Sequence, residues 1–149
     1  MPFIVVGVDG SASAQAALEA AVEQAKMIDG EVRAVNVLVL PAMSGYEFGP
    51  IDLEAMREAS ENTLSQALAS LAEKHGGTTP VPVETSVVTG HIGIELLRAA
   101  EADEGAAMVV AGSRGFGGFK SLLLGSVTTY LAHHLTCPLL IIPAVEEDE

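Results

Sequence analysis

Five short apolar runs alternate along the chain with stretches in which apolar residues recur every three or four positions. Residues 3–8, Phe-Ile-Val-Val-Gly-Val, form a continuous β-prone run, as expected of a strand covered on both faces. Asp9-Gly10-Ser11 follows as a turn, with Ser11 or Ser13 placed to cap a helix. That helix carries its apolar stripe at Ala14, Leu18, Ala21, Val22, Ala25 and Ile28, and Asp29-Gly30 is expected to stop it. A second strand is predicted over 32–40 and a loop over 41–50. The second helix has apolar or small residues at Leu53, Met56, Ser60, Leu64, Ala67, Leu68 and Leu71, and ends at His75-Gly76-Gly77. Residues 81–88 read as a third strand, and Pro80 and Pro82, which lack ladder donors, put it at a sheet edge. A third helix runs through Ile92, Leu96 and Ala100. A fourth strand follows over 106–111, then a glycine-rich loop, a fourth helix over 127–135 and a closing strand over 138–143.

The order β-α-β-α-β-α-β-α-β, with apolar strands, predicts an α/β fold: one five-stranded parallel sheet with helices on both faces. Residues 1–149 read as a single domain, with an acidic tail over 144–149. In such sheets ligands sit beyond the carboxyl ends of the strands, where the strand order reverses. Two loops at strand ends combine glycine with polar groups: Asp9-Gly10-Ser11 and the segment 112–126.

Composition narrows the function classes. The hydrophobic fraction is 49% of 149 residues, but no run reaches the length needed to span a bilayer. Asp9 interrupts the N-terminal apolar run too early for a signal peptide. The single cysteine, Cys137, excludes an intramolecular disulfide and suits a reducing, cytoplasmic setting. A net charge of -13 argues against nucleic acid or an anionic membrane as partner.

That charge is unevenly spread. None of the 20 Asp and Glu residues falls between positions 105 and 145, a window that holds Arg114 and Lys120. Within it lie Gly112-Ser113-Arg114-Gly115 and, after Lys120, Gly125-Ser126-Val127 at the expected helix start. Glycines after a strand, a helix N-terminus and cleared acids together prepare a loop for phosphate. A Walker A loop is missed, because Phe119 stands where its second glycine must be. The first strand-helix turn lacks the dinucleotide fingerprint, and the third strand ends Val87-Val88-Thr89-Gly90, without the phosphoacceptor aspartate of a receiver domain.

The spacing that is met is Gly-x2-Gly-x9-Gly-Ser, at Gly112, Gly115, Gly125 and Ser126. With Val6-Gly7-Val8-Asp9-Gly10-Ser11 and the ending Cys137-Pro138-Leu139-Leu140-Ile141-Ile142, it closely resembles the universal stress protein family, in its ATP-binding branch. The resemblance spans residues 3–143. It implies an adenine nucleotide α-hydrolase-like, Rossmann-like sheet of order 3-2-1-4-5 and a homodimer joined through the strand at 138–143. It also implies that Asp9, in its turn with Gly10 and Ser11, meets the adenine or ribose side of the nucleotide, and that Val37 meets adenine through its backbone. Gly112, Gly115, Gly125, Ser126 and Val127 would hold phosphates and ribose, with Ser113 and Arg114 as further contacts. A divalent cation, Mg2+ or Mn2+, would accompany the phosphates.

Two functions from different classes fit this site. One is a binding module that reports adenine-nucleotide state during stress, with AMP or cyclic AMP as alternatives to ATP. The other is a slow ATPase or phosphotransferase. Hydrolysis needs a group that positions water and usually a metal carboxylate. The window 105–145 has no acid, and Asp9 is assigned to the other end of the nucleotide, so binding is preferred and no catalytic residue or protein metal ligand is assigned. His133 and His134 are adjacent, not at i and i+4, and suit a helix C-terminus rather than a metal. Cys137 reads as a small buried hydrophobe, and Tyr46 to Phe48 as either a lid over the adenine or a plain loop.

Overall fold

The computed structural model describes residues 1–40, 52–113 and 124–143. The elements are β1 (Phe3–Gly7), α1 (Ala12–Met27), β2 (Glu31–Leu38), α2 (Leu53–Lys74), β3 (Val83–Thr89), α3 (Ile92–Ala100), β4 (Met108–Gly112), α4 (Ser126–His134) and β5 (Leu139–Ile142). The strands form one parallel sheet of order β3-β2-β1-β4-β5, as expected.

Alternation along the central strands divides the interior in two. Ile4, Val6 and Val8 face α1 and α2, where they pack with Leu18, Val22, Leu64, Leu71, Val32 and Val110. Phe3 and Val5 face α3 and α4, packing with Val35, Leu96, Val109, Val127 and Leu131. Ile4, Leu18, Leu71, Leu96 and Leu131 are fully buried, and each such side chain contributes about 2 kcal/mol over leaving it in water. No helix among the described residues is long and apolar enough to cross a membrane.

The departures from expectation lie at element ends. Ile28 is not on the buried stripe of α1: it caps the helix and is 40% exposed, because Asp29 turns the chain aside at φ +54°. β2 stops at Leu38, leaving Val39 and Leu40 exposed. β3 starts at Val83, since Pro82 can offer only its carbonyl, which accepts from the Val32 N–H at 2.9 Å. The expected edge position of β3 is observed. Its central residues Glu84, Thr85 and Ser86 are exposed, so this strand is not covered on both faces.

Candidate functional site

The strand order reverses between β1 and β4, and their pairing ends at Val6↔Val110. Beyond that pair the two strands lead to helices packed on opposite faces, α1 and α4, which is where open α/β sheets form a ligand crevice.

The β1 lip is the turn 8–11. The Ser11 N–H donates to Asp9 Oδ1 at 2.9 Å, an Asx turn, and the Ser11 Oγ accepts from the Ala14 N–H at 3.1 Å to cap α1. Gly10 sits at φ +90°, where a side chain would be strained, and a Cβ there would lie 3.4 Å from Thr63 Cγ2 of α2. Asp9 is exposed.

The β4 lip is Gly112-Ser113, both buried. A Cβ on Gly112 would meet Ser13 Cβ at 3.2 Å, so glycine lets β4 close against the start of α1. The Ser113 N–H donates to the Ile142 carbonyl at 2.9 Å, and the Ser113 carbonyl accepts from the Gly125 N–H at 2.6 Å. The Gly112–Ser113 and Gly125–Ser126 ends of the motif are thereby fastened together. Gly125 is the N-cap of α4. Whereas Ser11, Asp52 and His91 cap the other three helices through side chains, α4 has no side-chain cap. Among the described residues no side chain caps its first amides, which makes them a candidate donor set for an anion.

Val37 lies at the third wall. The Val8 N–H donates to the Val35 carbonyl at 2.8 Å and the Gly90 N–H to the Leu38 carbonyl at 3.1 Å. Backbone groups alternate sides along a strand, so Val35 and Val37 address β1 while Leu38 addresses β3. The next β1–β2 rung would run from the Val37 N–H to the Val8 carbonyl, but β1 ends at Gly7 and that rung is not made. The Asn36 amide donates to the Val8 carbonyl instead, at 2.9 Å. Among the described residues the Val37 N–H has no partner, on the side of the strand that addresses β1.

The structure thus brings Asp9, Gly10, Ser11, Val37, Gly112, Ser113, Gly125, Ser126 and Val127 to the carboxyl end of one sheet. The Val127 side chain is buried in the core with Leu131, which leaves only its backbone for a ligand. Arg114, Gly115 and Lys120 lie outside the described residues, as do Tyr46, Phe48 and the tail. Among the described residues no three His, Cys, Asp or Glu side chains group to hold a metal ion. The candidate donor set here is amides, so a divalent cation accompanying a nucleotide would be held by its phosphate oxygens. Burial raises the Cys137 thiol, opposed in part by a backbone hydrogen bond, so it stays protonated at neutral pH. The sequence reading passed over Asn36 and Thr128, two of the four buried polar residues among those described. For Asn36 the signal was present, as a lone amide between Val35 and Val37.

Comparison with known proteins places this geometry. The model of the Universal stress protein family matches residues 3–143. The universal stress protein YxiE of Bacillus subtilis is 31% identical over 147 residues, covering 93% of this chain and 97% of its own length. A Mycolicibacterium smegmatis universal stress protein is also 31% identical, over 142 residues and 93% of this chain, but the match spans only 47% of that longer protein. Among solved structures, UspA of Lactobacillus plantarum superposes with a TM-score of 0.72 at 22% identity, over 95% of this chain and 97% of its own. An Archaeoglobus fulgidus universal stress protein in complex with dAMP gives 0.65 at 24% identity, over 95% and 96% of the two chains. An Arabidopsis thaliana family member with AMP bound gives 0.62 at 20%, over 97% and 93%. A further universal stress protein, in complex with cAMP, gives 0.62 at 21%, over 97% and 98%. The chain belongs to the universal stress protein family.

Proposed function

We propose that the chain binds an adenine nucleotide, ATP foremost, in the crevice between the Asp9 turn and the 112–126 loop, and acts as a regulatory module in stress response. The observation that carries this reading is the open N-terminus of α4, fastened by its Gly125 cap to Ser113 and facing the lip that holds Asp9. Amides and a helix dipole converge there on a position suited to phosphate. Asp9, on the β1 lip, would meet the ribose hydroxyls. The Val37 N–H offers a backbone donor to adenine. The AMP, dAMP and cAMP found on related folds support the adenine class and keep a monophosphate-selective binder as the second reading. Mg2+ or Mn2+ would enter with the phosphates.

Calorimetric titration of ATP, AMP and cyclic AMP decides between them. Saturable binding with ATP tightest is expected, and no heat from any of the three overturns the proposal. Phosphate release by ATP-loaded protein is expected to be at most slow, because the loop window has no acid to orient water. Multiple turnovers per minute would move the assignment to an enzyme.

The same reading includes a homodimer through β5. Leu139, Leu140, Ile141 and Ile142 are all only half-buried at the sheet edge, with no charge among them. Four aliphatic side chains per chain, at about 1–2 kcal/mol each, suffice for association at micromolar concentration once its entropic cost is subtracted. Sedimentation is expected to show twice the chain mass for the wild type and a monomer for Ile141→Lys. A monomeric wild type ends the dimer.

A further inference from the structure

We infer that Asn36 and Thr128 are positioning residues of this site: each donates to the carbonyl that closes a central strand, so that amide donors rather than carbonyl acceptors face the ligand. The inference rests on the nucleotide reading above and concerns how the site's polarity is set.

A parallel sheet ends in alternating amides and carbonyls, and a crevice at its carboxyl edge presents both. A phosphate, or a ring nitrogen of adenine, is an acceptor and is repelled by a carbonyl oxygen. Two such oxygens stand at this crevice, and both are occupied by buried side chains. On the β1 lip the acceptor is the Val8 carbonyl, one residue before Asp9, and Asn36 Nδ2 takes it at 2.9 Å. That bond replaces the rung Val37 would otherwise make and keeps its N–H available. On the β4 lip the acceptor is Gly112. Because the Ser113 N–H addresses β5, Gly112 addresses β1, two residues past the last β1–β4 pair. Thr128 Oγ1 donates to its carbonyl at 2.8 Å.

Both donors are committed and sheltered: Thr128 is 2% exposed and Asn36 8%. Thr128 is the third residue of α4, where a threonine hydroxyl ordinarily turns back on its own helix. Here it crosses to another strand. The same bond pins the start of α4 to the end of β4, so it also sets where the α4 amides point. Asn36 acts on the adenosine side of the site and Thr128 on the phosphate side.

That division separates positioning from general support. Asn36→Leu and Thr128→Val keep shape and remove the donor, and Thr128→Ser keeps the hydroxyl. Titrated with ATP and with adenosine, Thr128→Val is expected to lose ATP affinity about fivefold or more while adenosine affinity holds, with Thr128→Ser near wild type. Asn36→Leu is expected to lose both ligands by the same factor. In ligand-free protein, amide exchange at Val37 is expected to slow about tenfold in Asn36→Leu, as the freed Val8 carbonyl accepts the missing rung. Equal losses of ATP and adenosine in Thr128→Val, or unchanged Val37 exchange in Asn36→Leu, overturn the inference while the wild type still binds. A wild type that binds neither ligand overturns the proposed function, and the assignment of both residues to a nucleotide site falls with it.

Discussion

The two ends of the sheet are built on opposite electrostatic plans. At the amino end an open cavity of about 640 Å³ is lined by Met1, Pro2, Phe3, Glu31, Arg33 and Asp103 among others. Its one guanidinium is fully engaged. Arg33 pairs with Asp103 at 2.8 Å, Glu31 at 3.3 Å and Glu84 at 3.6 Å, and lies 3.6 Å above the centroid of the Phe3 ring. Burial works against its charge, but the hydrogen bonds to Asp103 and Glu31 outweigh it and raise its pKa further. At the carboxyl end the arrangement is reversed: backbone donors without side-chain partners, buried side chains covering the acceptors, and few acids. A cavity whose one guanidinium is already engaged by carboxylates has no guanidinium left for an anionic ligand. The end that retains donors is the one to read as a site.

The largest expected effect tests the carboxyl end directly. Gly125 has φ -71° and ψ 165°, a conformation alanine adopts freely. Gly125→Ala therefore leaves the backbone unstrained, and its Cβ is expected to obstruct phosphate oxygens approaching the α4 amides. At least a tenfold loss of ATP affinity is expected, about 1.4 kcal/mol or more, with unchanged circular dichroism. Wild-type affinity would remove the loop from the site. The same loss is expected at Gly115.

Arg33→Met tests the other half of the contrast. It removes a guanidinium whose side chain is 22% exposed, with one partner as sheltered and two largely exposed. Those partners put the cost between surface and buried pairs, at about 1 kcal/mol of unfolding free energy. The midpoint of thermal unfolding should fall by roughly 2–4 °C. Nucleotide affinity should not move. A variant that unfolded as the wild type does but bound ATP less well would show that the two ends are not separate in function.

How far the sequence carried this contrast follows from where each signal lies. The alternation of strands and helices, the helices on both faces and the Asp9 turn were legible, because apolar runs, three-to-four spacing and turn residues are local signals, whereas the strand order followed only from the family resemblance. The candidate site at the carboxyl end was proposed from a similarly local signal, its motif being contiguous after one strand. The roles of Asn36 and Thr128 were not legible, although Asn36 stood out as a lone amide in an apolar strand, since each acts on a carbonyl distant in the chain: Val8 for Asn36, Gly112 for Thr128. The Arg33 network was equally hidden, since it joins β1, β2 and β3 to Asp103. Element ends slipped at Ile28 and Val81, where an apolar residue extends a pattern past the point at which the backbone has already turned or lost its donor.

The smallest expected effect lies at Arg114, between two motif glycines in a window without acids. Its place in the motif assigns its guanidinium to the outer phosphates of a bound nucleotide, and the test is whether ATP feels its loss more than AMP. Arg114→Gln is then expected to weaken ATP about threefold, about 0.6 kcal/mol, and to change AMP less. The wild-type preference for ATP over AMP should also shrink as salt is raised, since exposed charges more than about 10 Å apart are screened near 0.1 M. In Arg114→Gln that salt dependence should flatten, because the α4 amides that remain are fixed dipoles close to their anion. Titrations of both ligands at low and high salt, in wild type and variant, give four affinities that isolate the term. Equal losses for ATP and AMP would place the arginine on the part the two ligands share, the adenosine monophosphate, and the carboxyl end would then select its ligand by backbone donors alone.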